Sequence, residues 1–172
     1  MKNTNHSLFD KYEMIKDLGT GSSGSVTLVR HISMDQERAL KKVPKASAFA
    51  ESALSEARLL KSLEHPSIPR IFDFEEDDAF YYIVEEYIDG ETLDSFLLHQ
   101  QLISPGLFFN ICEQLCNVFI YLHTQISTPI IYRDLKPEHI IVCHNKLKLI
   151  DFGVSAYVIQ DGNNFNHYGN IE

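Results

Sequence analysis

Three glycines, Gly19, Gly21 and Gly24, stand in a G-x-G-x-x-G spacing within EMIKDLGTGSSGSVTLV (residues 13–29), with Val26 two positions beyond the last. Backbone without side chains at such intervals can come close to a phosphate, and two unrelated folds use the device. In one, a strand runs through the glycines directly into a helix, the Rossmann dinucleotide turn. In the other, the glycines lie in a flap between two strands. The flanks decide. Val26, Leu28 and Arg30 alternate with Thr27, Val29 and His31, so 25–31 reads as a strand, and 12–18 reads as its partner. The loop therefore leads from strand to strand, and the dinucleotide fold is set aside.

A third strand follows at ERALKKV (37–43). From Ala53 the period changes: Ala53, Leu54, Ala57, Leu60 and Leu63 recur at three- and four-residue steps, predicting an amphipathic helix that HPSIPRI then ends. Ile71–Phe74 and Phe80–Glu85 read as two more strands around the acidic turn EEDD, and Asp89-Gly90 marks a further turn. The remainder is expected to be mostly helical. Ser104-Pro105 is a helix start, with Ser as N-cap and Pro at the first position. The helix it opens, 105–124, is apolar nearly all round, with Phe108, Phe109, Ile111, Leu115, Val118, Phe119, Ile120 and Leu122. A surface helix keeps a polar face, so this one is expected to meet partners on several sides.

Composition adds exclusions. The chain has 172 residues, 44% hydrophobic and 23% charged, enough for a real core. Its 15 Lys and Arg against 24 Asp and Glu give a net charge of −9, which argues against a basic nucleic-acid footprint. The N-terminal MKNTNHSLFDKYEM lacks the apolar core of a signal peptide. No run approaches the ~20 apolar residues of a membrane span, so a cytoplasmic protein without membrane partners is expected. The sparse, odd cysteine set, Cys112, Cys116 and Cys143, fits a reducing compartment. A metal site can be drawn from Cys112 and Cys116, four apart, or from Cys143 with His139 and His144; buried thiols on a helix are the preferred reading.

Four further segments complete a constellation: Ala39-Leu40-Lys41 on the third strand, Glu56 on the amphipathic helix, YRDLKPEHIIV (132–142) and IDFGV (150–154). With GTGSSGSV, these motifs in this order resemble the protein-kinase family from about residue 12 to the last residue. DLKPE, with Lys136 two residues after Asp134, looks like the serine/threonine branch. The resemblance implies an α+β, bilobal fold: an antiparallel five-stranded N-lobe with one helix, then an incomplete helical C-lobe. It implies a tail over 1–11, the N-lobe over 12–85, a hinge over 86–91 and a partial C-lobe over 92–172 that ends in the activation segment.

What phosphoryl transfer needs is positioning and charge neutralisation. By the resemblance, Gly19, Gly21 and Gly24 would fold over the phosphates of ATP, and Val26 would cover the adenine. Lys41, paired with Glu56, would bind the α and β phosphates. Asp151 would hold Mg²⁺, Asp134 would accept the proton of the substrate hydroxyl, and Lys136 would steady the γ-phosphate. YYIVEEYIDGETL resembles the segment joining the lobes, so backbone near Glu86, Tyr87 and Ile88 would meet the adenine, with Ala39 and Ile141 completing an apolar slot. Glu85 falls where the residue guarding the back pocket belongs, either paired with a cation or simply narrowing the space. Leu60, Ile71, Tyr132 and Phe152 match the stack that couples the lobes. Arg133 would read a phosphate on the activation segment, where Ser155, Tyr157 and Tyr168 are the hydroxyls available.

Two departures qualify the resemblance. The family places Asn five residues after the catalytic aspartate, as an oxygen ligand for a second Mg²⁺; here that position is His139. Imidazole suits softer metals, which predicts weak or altered metal dependence resting on Asp151, with Mn²⁺ preference or a decayed site as alternatives. Second, SAYVIQDGNNFNHYGNIE carries no APE motif, and the helices of the peptide platform do not follow, so a truncated chain is expected. Asn170 stands where the family has a threonine. The helix over 105–124 would then expose an apolar face to a partner chain. Two function classes follow: a serine/threonine kinase, or a pseudokinase or truncated nucleotide-binding or interaction module without turnover.

Overall fold

A computed structural model describes residues 8–21, 24–99, 103–161 and 164–168, with side chains to residue 158. The chain divides into two compact units, one formed by Met1–Lys61 and Arg70–Tyr87, the other by Ser62–Pro69 and Ile88–Glu172.

In the first unit a single helical turn, α1 (Leu8–Lys11), leads into β1 (Tyr12–Gly21), β2 (Gly24–His31) and β3 (Gln36–Pro44). Helix α2 (Ala50–Lys61) follows, and then β4 (Ile71–Glu76) and β5 (Phe80–Glu86). The strands form an antiparallel sheet in the order β1-β2-β3-β5-β4. Alternation along the strands builds two cores. Leu8, Tyr12, Val29, Leu40, Tyr82 and Val84 are buried on one face. Val43 and Ile83 on the other face pack with Ala53 and Ala57 of α2, whose three- and four-residue spacing predicted this stripe. The acidic turn between β4 and β5 is fixed by Asp77, whose Oδ1 accepts from the backbone N–H groups of Ala79 (2.8 Å) and Phe80 (2.7 Å). Lys11 Nζ reaches Asp73 at 2.7 Å and ties α1 to β4.

The second unit contains β6 (Glu91–Thr92), α3 (Leu93–His99), α4 (Pro105–Ile120), β7 (Ile130–Ile131), β8 (Ile140–Cys143), β9 (Lys146–Leu149), β10 (Ala156–Asp161) and β11 (Asn164–Tyr168). They form two small sheets, β6-β8-β9 and β11-β10-β7. The expectation of a mostly helical remainder thus needs correction: among the described residues, six short strands lie beyond Gly90. These strands are two to six residues long and owe their form to pairing partners elsewhere in the chain, a signal that local periodicity does not carry. The α4 start is as read, with the Ser104 hydroxyl oxygen accepting from Leu107 N at 3.2 Å and Pro105 in the first turn. The helix ends at Ile120 and passes into a π-helical turn over Tyr121–Gln125. Gln114 clamps α4 to the β8–β9 turn, donating to Asn145 O at 2.9 Å and accepting from Leu147 N at 3.0 Å.

Helix α4 buries one of its residues, Val118, and leaves Phe108 and Phe109 54% and 68% exposed. Its cysteines are not buried as read: Cys112 is half-buried and Cys116 exposed, because the apolar circumference of α4 is not covered on every side. No helix among the described residues is long and apolar enough to cross a membrane.

Candidate active site

The glycine segment is a hairpin. Gly19 pairs with Val26 and Gly21 with Gly24, and β1 is bulged between Met14 and Lys16 and between Asp17 and Gly19. The glycines are not equivalent. Gly24 has φ +136°, and a Cβ there would fall 2.1 Å from the carbonyl oxygen of Lys42, so backbone packing alone demands glycine. At Gly19 and Gly21 a Cβ would meet nothing within 4 Å. The fold leaves their identity unexplained, as expected where backbone is kept bare for a ligand.

Register then gathers one face of the sheet. Val26 stands opposite Lys41 and Leu28 opposite Ala39; across β3, Ala39 stands opposite Glu85 and Lys41 opposite Ile83. With alternate residues on alternate faces, Val26, Ala39, Lys41 and Glu85 share the face that α2 covers. Helix α2 supplies Glu56, whose Oε2 is 2.9 Å from Lys41 Nζ. On the same face, burial pushes the Glu85 carboxyl up to about 7; the Lys41 charge opposes the rise and the Glu56 charge adds to it. Of the two roles left open for Glu85, desolvation outweighs the pull of a cation, and the ion pair of Lys41 goes to Glu56. Glu86 closes β5 by donating its N–H to Arg70 O at 2.9 Å and accepting from Arg70 N at 3.3 Å.

The second unit holds the other candidates. Ile88 is half-buried, as is Ile141 on β8, which stands opposite Thr92 and Lys148. Between β7 and β8 the chain carries Tyr132 to Lys136 and a 3₁₀ turn over Pro137–His139; between β9 and β10 it carries Asp151 to Ser155. The two loops are stitched together. Tyr132 is buried, its hydroxyl donates to Ile150 O at 2.5 Å, and its ring meets Phe152 edge-on at 5.0 Å. His139 O accepts from Ile150 N at 2.9 Å, and Arg133 Nε donates to Val154 O at 2.5 Å. Arg133 and Asp151 both have positive φ, +69° and +61°, conformations that non-glycine residues hold only where the surroundings enforce them.

That stitching brings charged groups together. Lys136 Nζ is 3.0 Å from Asp134 Oδ2. His139, 9% exposed, places Nδ1 3.3 Å from the same oxygen and 3.1 Å from the Asp134 carbonyl oxygen. Its Nε2 is 3.3 Å from Asp151 Oδ2. Sequence reasoning noticed the residue type at 139 but not that it would stand between the two aspartates. The Tyr132 hydroxyl bond to Ile150 was also missed, since nothing local signals it. Of the four stack residues, Tyr132 and Phe152 meet each other, while Ile71 packs with Val43, Ala53, Ala57 and Ile83 in the first unit. Ser155 is buried, and its hydroxyl donates to Tyr132 O at 3.2 Å, which makes it an internal strut. The side chain of Tyr168 and the whole of Asn170 lie outside the described residues.

A divalent cation fits this donor set. Asp151 has a half-exposed carboxylate, 53% accessible as a side chain, offering hard oxygen. Among the described residues no three His, Cys, Asp or Glu side chains gather to hold a metal by themselves, so further oxygens must come from a bound phosphate or water.

A model of the family described as "Protein kinase domain" matches residues 12–170. The chain is 32% identical over 151 residues to serine/threonine-protein kinase PrkC of Bacillus subtilis, covering 85% of this chain and 23% of that protein. It is 34% identical over 172 residues to calcium-dependent protein kinase 4 of Plasmodium falciparum, covering 91% of this chain and 31% of that protein. It is 35% identical over 158 residues to cAMP-dependent protein kinase type 3 of Saccharomyces cerevisiae, covering 89% of this chain and 39% of that protein. The chain therefore spans about a quarter to two fifths of the length of these curated relatives.

Proposed function

The chain belongs to the protein kinase domain family, and from that premise we propose that it transfers the γ-phosphoryl group of metal-bound ATP to a serine or threonine hydroxyl of a protein. The observation that carries this reading is the group of Asp134, Lys136, His139 and Asp151, held by two interlocked loops at separations of 3.0–3.3 Å. The serine/threonine class is supported by Lys136 two residues after Asp134 and by the similarity to the serine/threonine-protein kinase PrkC.

In this reading Asp134 orients the hydroxyl and takes its proton as the new O–P bond forms and the bond from the γ-phosphorus to the bridging oxygen breaks, releasing ADP. Lys136 offsets the charge on the moving phosphoryl oxygens and, at 3.0 Å, also holds the Asp134 carboxylate in position. Lys41, held by Glu56, binds the α and β phosphates, and the bare backbone of Gly19 and Gly21 lies over them. In the first unit, Val26, Ala39 and the backbone of Glu86 receive the adenine. Asp151 would hold a divalent cation, which would supply charge neutralisation to the phosphates when bound. The reducing compartment that three unpaired cysteines fit supports a cytoplasmic setting.

A second reading, an interaction module without turnover, is favoured by the exposed Phe108 and Phe109 of α4, which another chain would cover. Transfer of labelled γ-phosphoryl to serine or threonine separates the two. The kinase reading requires transfer that disappears in Asp134→Asn; the module reading requires none, together with concentration-dependent association.

A further inference from the structure

Residues Val154–Val158 are fastened to Pro129–Arg133 along their whole length. Arg133 Nε donates to Val154 O at 2.5 Å, the Ser155 hydroxyl donates to Tyr132 O at 3.2 Å, and Val158 N donates to Pro129 O at 2.8 Å. Between these bonds Ala156 stands opposite Ile131 and Tyr157 opposite Ile130. Tyr157 pairs with Tyr168 on its other side, so β10 is the middle strand of its sheet. Ser155, Ala156 and Ile130 are 5%, 0% and 0% exposed. The seam between the two stretches therefore excludes water, and a bond lost there leaves a buried polar group unsatisfied.

The resemblance implied that Arg133 reads a phosphate on this stretch, and a phosphate orders a loop by giving an arginine an anion to bind. Here Arg133 Nε already holds the stretch, through the Val154 carbonyl, and its backbone is set at φ +69°. The hydroxyl nearest in sequence, that of Ser155, faces inward and supplies the other side-chain bond of the seam. A phosphoryl group on Ser155 would remove the hydrogen that Tyr132 O accepts. It would also place about two negative charges where the side chain is 5% exposed. The effect of charge is then opposite to the one the resemblance implies. We infer that Arg133 and Ser155 form a latch that holds Val154–Val158 by the chain's own groups, and that negative charge at Ser155 opens the segment rather than ordering it. Tyr132 and Arg133 lead directly into Asp134, so the closed latch also fixes the backbone that presents that carboxylate. The consequence for phosphotransfer, that it needs no phosphate on this segment, rests on the kinase reading; the latch itself does not.

The test is amide exchange, read residue by residue, on the full chain freed of phosphate by a phosphatase and checked by intact mass. The Ser155 and Val158 amides, which donate to Phe152 O and Pro129 O, are expected to be protected in that form. Ser155→Asp should speed exchange at Val158 by about tenfold or more, and Ser155→Ala by less, with the amides of β3 unchanged in both. In parallel, the phosphate-free parent should transfer phosphoryl as fast as the untreated chain, and Ser155→Asp should lose most of that rate. Val158 unprotected in the phosphate-free parent, or better protected in Ser155→Asp, overturns the inference. A parent that transfers only after its segment regains phosphate overturns it as well. If β3 loses protection too, Ser155→Asp has not folded, and the phosphate-free parent decides: protection at Val158 supports the latch and its absence refutes it. If no form transfers phosphoryl while Val158 is protected in the parent and released in Ser155→Asp, the kinase reading fails and the latch stands.

Discussion

Lys41 on β3 and Glu56 on α2 face each other at 2.9 Å, with side-chain exposures of 22% and 11%. Glu85 lies on the same sheet face, its carboxyl lifted to about 7 chiefly by burial and further by the Glu56 charge, against the pull of Lys41. Removing the lysine charge sets two carboxyl groups against each other with less to balance them. Lys41→Met should lower stability by about 2 kcal/mol, between the values for exposed and fully buried pairs. It should also abolish the rise in melting temperature that ATP produces in the parent. Melting curves with and without ATP check both effects.

Glu85 gives stability a pH dependence of definite sign. Its folded-state value, about 7, lies above the ordinary 4.5, so the folded chain binds the extra proton. Stability is unaffected by this group below about pH 4.5, declines as pH rises from there to about 7, and carries the full penalty above. Glu85→Gln removes the penalty, worth at most about 3 kcal/mol. The melting temperature of Glu85→Gln should match the parent near pH 4.5, exceed it increasingly up to pH 7, and keep a constant lead beyond. A lead that shrinks with rising pH would contradict the assignment.

The glycines of the β1–β2 hairpin should separate by function. Gly24→Ala meets the Lys42 carbonyl at 2.1 Å with φ +136° and should cost about 3 kcal/mol, or roughly 6–12 °C in melting temperature. Gly19→Ala meets nothing within 4 Å and, in a strand, should be neutral or stabilising by up to about 1 kcal/mol. If bare backbone at 19 is kept for the phosphates, Gly19→Ala should nonetheless weaken ATP binding. Calorimetric titration beside the melting curves tests the split.

Tyr132→Phe keeps the ring against Phe152 and removes only the hydroxyl that reaches Ile150 O and His139. Leaving that carbonyl without its donor should destabilise by about 1–2 kcal/mol. The interlock of the two loops should loosen as well, read as faster amide exchange at Ile150 and His139, whose backbone groups bond each other at 2.9 Å.

Much of this fold was legible because its signals are local. The alternation from Val26 to His31, the three- and four-residue steps from Ala53, and the Ser104-Pro105 start depend on neighbours in sequence, and each became the element expected. The strands beyond Gly90 were not legible, because β6, β7 and β8 are two to four residues long and exist through distant pairing. Spacing singled out the motif residues, and of these Lys41 and Glu56 lie 2.9 Å apart. Spacing could flag His139 as a departure but not its place between Asp134 and Asp151, which depends on how two loops fold onto each other. The exposure of Cys116 was misread because an apolar neighbourhood in sequence does not guarantee cover in space.

Phosphoryl transfer itself tests the central claim most directly. The full chain is incubated with γ-labelled ATP, Mn²⁺ or Mg²⁺, and protein substrates rich in serine and threonine, alongside Asp134→Asn. We predict label on serine or threonine that is lost by at least about 100-fold in Asp134→Asn, with ATP still raising the melting temperature of the variant. Label absent from the parent, or present equally in Asp134→Asn, while ATP binds both, would contradict a phosphotransferase and leave a nucleotide-binding module.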